Sequence, residues 1–225
     1  MKLSFLCIAT VLIVLVARGR ARAFDFDLEF NPFFEFGAID NEEDNHPEST
    51  AHKFYLGVGV NVRRGEDFKQ EARTKLWALG EPTDEDREIP NDGIAASLEL
   101  SYHCRFFEDF TVYPYAGMGF QRWRRNSPLG DASRFYGSLY FTEAIFGIGG
   151  TWKWFYFKAG GNRPFWSDTD SGQTPTGQLG FLVNGGVIYK AVDLGLFYNR
   201  TRFGSDGTQT AFQLDLYGFY VGYHF

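Results

Sequence analysis

Three residues near the middle of the chain carry groups that could do chemistry together: Glu99, Ser101 and His103. An acid, a hydroxyl and an imidazole are the parts of a nucleophilic relay, in which the acid orients the imidazole and the imidazole activates the hydroxyl. Their alternate spacing puts all three on one face of a strand, with about 6.5 Å between successive members. That separation is too long for relay hydrogen bonds unless neighbouring strands help. We therefore expect a polar filling of an interior, with catalysis as the alternative.

The C-terminal segment, residues 210–225, shows the strand pattern most clearly. Its odd-numbered positions from Tyr217 to Phe225 are large and apolar or aromatic, whereas its even positions mix glycine, histidine and tyrosine. This is the two-residue period of a strand. From Asp215 to the terminus such a strand climbs about 25 Å at a tilt of about 40°, the height of an outer-membrane apolar band. The bulky face is predicted to meet lipid, and Asp215 to mark the edge of the bilayer.

A closing strand that ends in this way resembles the last strand of small Gram-negative outer-membrane β-barrel proteins of the OmpA/OmpX/OmpW type. In that family the barrel-assembly machinery is thought to recognise the terminal aromatic strand, which implies the same role here for Phe219, Val221, Tyr223 and Phe225. The resemblance also implies an integral protein of the bacterial outer membrane, surrounded by outer-membrane lipid and lipopolysaccharide, and a monomer. It leaves the function open, because one small barrel hosts many unrelated functions.

Eight segments of the chain alternate in this manner. Their approximate ranges are 51–64, 93–106, 110–123, 138–150, 155–164, 177–189, 193–203 and 210–225. Long polar connections alternate with very short turns, and aromatic residues cluster at both strand ends, as in the interfacial girdles of membrane barrels. The sequence thus predicts an all-β, antiparallel, up-and-down transmembrane barrel with long outer loops and short periplasmic turns.

Two further segments leave the strand number open between eight and ten. Residues 24–51 begin with the alternating FDFDLEF and then become acidic, so we expect a periplasmic or plug-like segment there. Residues 65–92 are charged and contain no convincing run of about ten residues in which every second side chain is apolar. We therefore expect a long outer loop there, with a short helix near 68–79. Eight strands are therefore preferred over ten, and the barrel is predicted to cover residues 52–225.

The N-terminus has the features of an export signal. Lys2 precedes an apolar run, and Ala21-Arg22-Ala23 has the small-x-small form of a cleavage site, so residues 1–23 are predicted to be a signal peptide. Its removal would lower the formal net charge from −6 to −10, which argues against nucleic acid as a partner. Cys104 would then be the single remaining cysteine, so an internal disulfide is not expected.

The inward positions of the predicted strands carry ionisable groups. A barrel of eight strands has room inside for side chains and not for a wide channel. Buried charges need partners, so we expect a network of paired acids and bases in the interior. Its members are predicted to be Glu99, Ser101, His103, Arg105, Glu143 and Lys158. A lumen filled in this way predicts a barrel without open conductance.

The preferred function is therefore a structural, surface-binding or adhesion role, and a small porin-like channel for ions or small solutes is the alternative. A lipid A-modifying enzyme is the second alternative. Barrels that deacylate lipid A are similar in using a histidine and a serine on one strand, but their His-x-Ser order and outward position differ from Ser101-Tyr102-His103. No cofactor, metal or catalytic residue is predicted. The acids of residues 81–88 lack the ligand spacing of a calcium loop, so they are not expected to bind a metal ion.

Overall fold

A computed structural model of the chain describes residues 28–43, 46–79, 92–124, 138–170, 174–204 and 211–224. The predicted signal peptide and Phe225 lie outside these residues. The described residues form one antiparallel sheet. Its strands are β1 (Leu28–Glu43), β2 (His46–Arg64), β3 (Phe68–Leu79), β4 (Asp92–Tyr102), β5 (Cys104–Phe107), β6 (Phe110–Arg124), β7 (Ser138–Trp152), β8 (Phe155–Thr169), β9 (Thr176–Tyr189), β10 (Val192–Gly204) and β11 (Phe212–Tyr223). No helix of the described residues is long and apolar enough to span a membrane.

The sheet closes into a barrel of ten strands. Neighbours follow the order of the chain, β1 pairs with β11, and β4 pairs with β6. β4 and β5 are two parts of one barrel strand, interrupted at His103, because β6 continues a single register along both through Ser101↔Tyr115 and Cys104↔Val112. The predicted antiparallel up-and-down barrel is confirmed. The preferred number of eight strands was wrong, and the alternative of ten is the one observed.

β1 is one of the two strands that the preferred count left out. It pairs with β11 from Phe33↔Gly222 to Glu43↔Phe212 and with β2 on its other side, so it joins the ends of the barrel. The expectation of a periplasmic or plug-like segment is therefore corrected for residues 28–43. Pro32 does not end the strand: it stays in register with Val60 of β2, and the ladder with β11 begins at the next residue.

β3 is the other strand that was left out. Residues 65–92 were expected to form an outer loop, yet β3 pairs with β2 through Val62↔Ala72 and with β4 through Ala72↔Leu98. The turn before it contains Gly65 at a φ of 95°, a conformation that favours glycine. The alternating apolar run is missing because the charged residues of β3 point into the lumen and mostly small or polar side chains face outward. The inward residues of β3 are Lys69, Glu71, Arg73, Lys75 and Trp77.

A proline substitution in β3 tests whether residues 68–79 form a barrel strand or part of a loop. Thr74 lies opposite Val60 of β2 and Ala96 of β4, so both of its backbone sides face a neighbouring strand. Thr74→Pro removes the backbone N–H of a central strand, where proline is hardly ever found, and so disrupts the ladder on one side of β3. We expect loss of the heat-modifiable folded band in SDS gels. Thr74→Val, which keeps the backbone N–H, is expected to retain that band; equal folding of both variants would contradict the place of β3.

The two ends of the barrel differ. Short turns at 65–67, 108–109, 153–154 and 190–191 lie at one end, here called the turn end, and both ends of the described chain lie there too. At the opposite end, here called the loop end, the chain passes from β1 to β2, β3 to β4, β6 to β7, β8 to β9 and β10 to β11. Large apolar side chains are exposed around the outer surface. They include Leu98, Met118, Phe146, Ile148 and Leu196, each about half exposed or more. An apolar belt of this kind is the surface that a bilayer covers.

Candidate functional site

The lumen near the loop end is filled with apolar and aromatic side chains. We call this cluster the aromatic plug. Its members are Ile39, Tyr55, Trp77, Trp123, Leu139, Phe141, Phe203, Phe212, Leu214 and Leu216, all buried. They come from all the barrel strands except β8, β9 and the strand made of β4 and β5. The cluster is therefore a layer across the lumen and not a lining of one wall.

Ring contacts within the aromatic plug join strands that are not neighbours as well as strands that are. Trp77 and Trp123 meet edge to face with their centroids 5.2 Å apart. Phe141 of β7 meets Phe203 of β10 at 5.4 Å, although β8 and β9 separate these two strands in the sheet. Phe203 in turn stacks on Phe212 at 4.6 Å. Contacts between strands that are not neighbours close the space at this level of the barrel.

Glycine makes the space that the two tryptophans occupy. Gly93 of β4 lies opposite both Trp77 and Trp123, and a Cβ at residue 93 would clash with the Trp77 ring. The indole Nε1 of Trp123 donates to Oε1 of Gln121 at 2.9 Å, and Gln121 Nε2 donates to Oε1 of Glu143 at 2.7 Å. Gln121 and Glu143 thus form the first polar layer below the aromatic plug.

The rest of the lumen, towards the turn end, contains ion pairs. Glu35 of β1 lies 2.7 Å from Lys75 Nζ and 3.2 Å from Arg73 Nη2. Glu71 accepts from Arg63 Nε at 2.8 Å and from the Asn61 amide at 3.0 Å. Asn61 and Arg63 lie on the predicted strand 51–64 but were not singled out as members of the interior network. Glu35, Glu71, Arg73 and Lys75 were missed in the sequence because β1 and β3 were not recognised as strands. The signal that could have found them is the alternation of charge along β3, which is the inward face of a strand.

Glu99 and Lys158 form an ion pair inside the lumen between strands that are not neighbours. Lys158 Nζ of β8 lies 2.6 and 2.5 Å from the two carboxylate oxygens of Glu99 on β4. The same ammonium lies over the ring of Tyr115, 4.4 Å from its centroid. Glu99 faces Glu71 directly across the β3–β4 pair, so two carboxylates share this part of the lumen. Lys158 and Arg63 are the cations that compensate them.

Ser101 and His103 are closer than the strand spacing suggested. Ser101 Oγ lies 3.1 Å from Nε2 of His103, and the imidazole stacks on Tyr113 with 4.3 Å between centroids. The strand is interrupted at His103, whose backbone N–H donates to the carbonyl of Asp67 at 2.6 Å. The expectation that these side chains lie too far apart was therefore wrong. Glu99 does not complete a relay, since Lys158 holds both of its oxygens.

Glu143 and Arg105 are the remaining residues that were expected in the interior, and only Glu143 lies there. Glu143 is buried and bound by Gln121, as described above. Arg105 has the inward parity but is exposed at the turn end, so it lies outside the packed lumen. The structure thus brings Glu99 and Lys158 together, brings Ser101 to His103, and leaves Arg105 apart from both pairs.

The residues expected to signal barrel assembly lie on the outer face of β11. Phe219 and Tyr223 are exposed, Val221 is partly exposed, and Phe219 stacks on Phe36 of β1 at 5.1 Å. Phe225 lies outside the described residues. Their recognition by an assembly machinery stays a prediction.

Asp215, expected at the edge of the bilayer, is paired on the outer face. Arg200 of β10 donates from Nε to Oδ1 of Asp215 at 2.8 Å and from Nη2 to Oδ2 at 2.6 Å. Aromatic rings of Phe181 and Tyr198 lie beside the guanidinium, within 6 Å of it. A bidentate pair among aromatic rings suits the interface between headgroups and acyl chains.

Two cavities lie between the ion pairs below the aromatic plug. The larger, of about 190 Å³, reaches the turn end and is here called the turn-side chamber; its lining includes Asn31, Asn61, Lys69, Ser101, His103 and Asn184. The second, of about 170 Å³, lies nearer the plug beside Glu35, Glu143 and Phe197. Within the described part of the chain, no group of three His, Cys, Asp or Glu residues is arranged to hold a metal ion.

A closed antiparallel barrel with an apolar outer belt and ionic groups inside defines an outer-membrane β-barrel protein. No family model and no curated protein matches the chain. Among solved structures it is similar to Neisserial surface protein A (NspA), with 12% identity, a TM-score of 0.44, and 87% of this chain and 97% of that chain covered.

The outer membrane protease OmpT from Escherichia coli is also similar, with 8% identity, a TM-score of 0.45 and coverage of 91% of this chain and 99% of that one. For Ail, the attachment invasion locus protein of Yersinia pestis, the identity is 10%, the TM-score 0.36 and the coverage 88% and 98%. The class of the protein rests on its own barrel and not on these likenesses.

Proposed function

We propose that this protein is a closed, non-conducting outer-membrane barrel with a structural or surface-binding role. The aromatic plug is the observation that carries the proposal. Trp77 and Trp123 meet over Gly93 at 5.2 Å between centroids, and Phe141 meets Phe203 at 5.4 Å over two intervening strands, so hydrated ions lack a polar path through that layer. The loop end would then serve as the working surface, while the barrel anchors it in the bilayer.

The plug argues against a porin-like channel. Below it, Lys158 of β8 pairs with Glu99 of β4 inside the lumen over the two intervening strands β6 and β7, which narrows the lumen a second time. Liposomes that contain the refolded protein are expected not to swell in an isotonic solution of L-arabinose, whereas liposomes with a general porin swell at once. Swelling at a comparable rate per inserted barrel would sink the proposal.

A second experiment separates the structural role from the surface-binding role. A strain without the protein is complemented with the full chain or with a variant in which residues 125–137 are replaced by a short Gly-Ser linker. Rescue of detergent resistance by both forms supports a structural role of the barrel. Rescue of surface attachment by the full chain alone supports a binding role of the loop end.

A lipid-modifying activity has one observation in its favour, the hydrogen bond between Ser101 and His103. Both side chains face the lumen, and Ser101 is only 8% exposed, whereas the acyl esters of a membrane lipid lie outside the barrel. We therefore expect Ser101→Ala to leave the lipid A mass spectrum of expressing cells unchanged. A missing or new acyl-chain species that depends on Ser101 would overturn this expectation.

A further inference from the structure

Asn31 is a buried polar residue of the turn-side chamber whose hydrogen-bonding needs are not met. It is only 5% exposed, and neither its Nδ2 nor its Oδ1 has a hydrogen-bond partner among the residues that the structure describes. A buried polar group without a partner is unfavourable, so an apolar side chain would suit a purely structural wall better. The amide is therefore available to a ligand that offers both a donor and an acceptor.

Two more amides face the same chamber with free acceptors. Asn61 of β2 uses its Nδ2 for Glu71, but its Oδ1 has no partner among the described residues, and the same holds for Oδ1 of Asn184 on β9. Asn31 and Asn61 are direct neighbours across β1 and β2. Asn184 lies on a strand three places away from β1 in the sheet. Carbonyl oxygens on separate walls match a ligand that carries several hydroxyl groups.

The charges of the chamber favour an anion. Four cationic side chains line it, Arg63, Lys69, Arg73 and Lys158, against three carboxylates. Each carboxylate has a donor or cation: Glu71 has Arg63, Glu99 has Lys158, and Asp193 accepts from Tyr156 Oη at 2.9 Å. In the described part of the chain, no carboxylate pairs with Lys69. One ammonium therefore stays uncompensated.

Lys69 stands beside hydroxyl and imidazole groups. It lies directly opposite Ser101 in the β3–β4 pair, and both residues line the chamber. Same-face cross-strand neighbours have Cβ atoms about 5 Å apart, so one small anionic group can contact both side chains. With the imidazole proton on Nε2, His103 donates to Ser101 Oγ, and the serine hydroxyl is free to donate to that group.

We propose that the turn-side chamber binds a small organic anion that carries hydroxyl groups, such as a hydroxylated phosphate monoester or carboxylate. Lys69 and Ser101 hold the anionic group, while Asn31, Asn61 and Asn184 bind the hydroxyls. The aromatic plug closes the loop side, so the ligand enters and leaves at the turn end. This site does not depend on the surface role proposed above, because it uses only residues of the lumen.

Isothermal titration calorimetry on the refolded full chain in detergent micelles tests the site. The probes are glycerol 3-phosphate and glycerate, with glycerol as the neutral control. We expect at least one anion to bind with a Kd below about 10 mM and glycerol to give no heat of binding. Lys69→Met is expected to weaken binding at least about tenfold, the effect of losing one charge-assisted contact. Lys153→Met, in an exposed turn, is the matched control and should bind as the wild type does.

Asn31→Leu tests whether the Asn31 amide binds the ligand or stabilises the fold. We expect it to weaken anion binding while leaving resistance to urea equal or higher, because it removes a buried amide without partners. If this variant does not fold, anion binding is measured with Asn184→Leu, which removes an amide of the chamber on β9. The proposal is overturned if neither anion binds the wild type, if Lys69→Met binds normally, or if glycerol binds as well as the anions.

Discussion

Replacing both Trp77 and Trp123 by alanine is expected to turn a silent barrel into a conducting one. The centroids of these two rings of the aromatic plug lie 5.2 Å apart, and both residues are almost fully buried. Their removal leaves small side chains around Gly93 and connects the loop end with the cavities below. Discrete current steps in a planar bilayer, absent for the wild type, are the measurement.

The same variant is expected to be less stable than the wild type. A buried Trp→Ala change costs about 3–5 kcal/mol, and the two costs will not add, since the rings touch each other. The matched control is Trp152→Ala with Trp154→Ala, which removes two rings that are 58% and 57% exposed near the turn end. Channels in the control and not in the plug variant would contradict the role given to the plug.

Lys158→Met is expected to give the largest loss of stability among single changes in the ionic part of the lumen. It leaves Glu99, whose side chain is 11% exposed, without its cation and directly opposite Glu71. Breaking a buried ion pair from one side costs about 3–5 kcal/mol, because the remaining charge is neither hydrated nor compensated. Urea unfolding in lipid vesicles, followed by tryptophan fluorescence, measures the change in the free energy of unfolding.

A double substitution shows whether the loss of stability in Lys158→Met comes from the unpaired carboxylate of Glu99. Glu99→Gln together with Lys158→Met removes both charges and is expected to recover most of the stability, since a neutral pair of similar size needs no compensation. A double variant as unstable as Lys158→Met alone would mean that the lysine acts through packing on Tyr115 and not through its charge.

Eight of the ten barrel strands could be predicted from the sequence because their outward faces are large and apolar. In β11, for instance, Phe219, Val221 and Tyr223 alternate with small or polar residues, and that alternation needs no tertiary context. β3 could not be recognised in this way. Its outward face includes Gln70, Ala72 and Thr74, so the alternation is carried by the charges on the inward face. A search for outward hydrophobicity alone does not detect such a strand.

The lumen was predicted less completely than the outer surface. Strand parity placed Glu99 and Lys158 inside, but their pairing joins β4 with β8 and depends on barrel closure, which no local pattern contains. The contact of Ser101 with His103 was missed because regular strand spacing was assumed at a residue where the strand is interrupted. The aromatic plug was missed for a related reason: inward Trp77 and Trp123 look the same in sequence as outward girdle residues until strand parity and barrel closure are known.

Single-channel recording on the refolded wild-type protein in a planar bilayer is the most direct test of the closed barrel. Insertion is verified independently by the heat-modifiable band of protein recovered from the same vesicles. The plug predicts no discrete ion steps at low salt over the full range of applied voltage. Regular, long-lived steps from the wild-type protein would contradict the closed lumen, and function would then have to be sought in transport through the barrel.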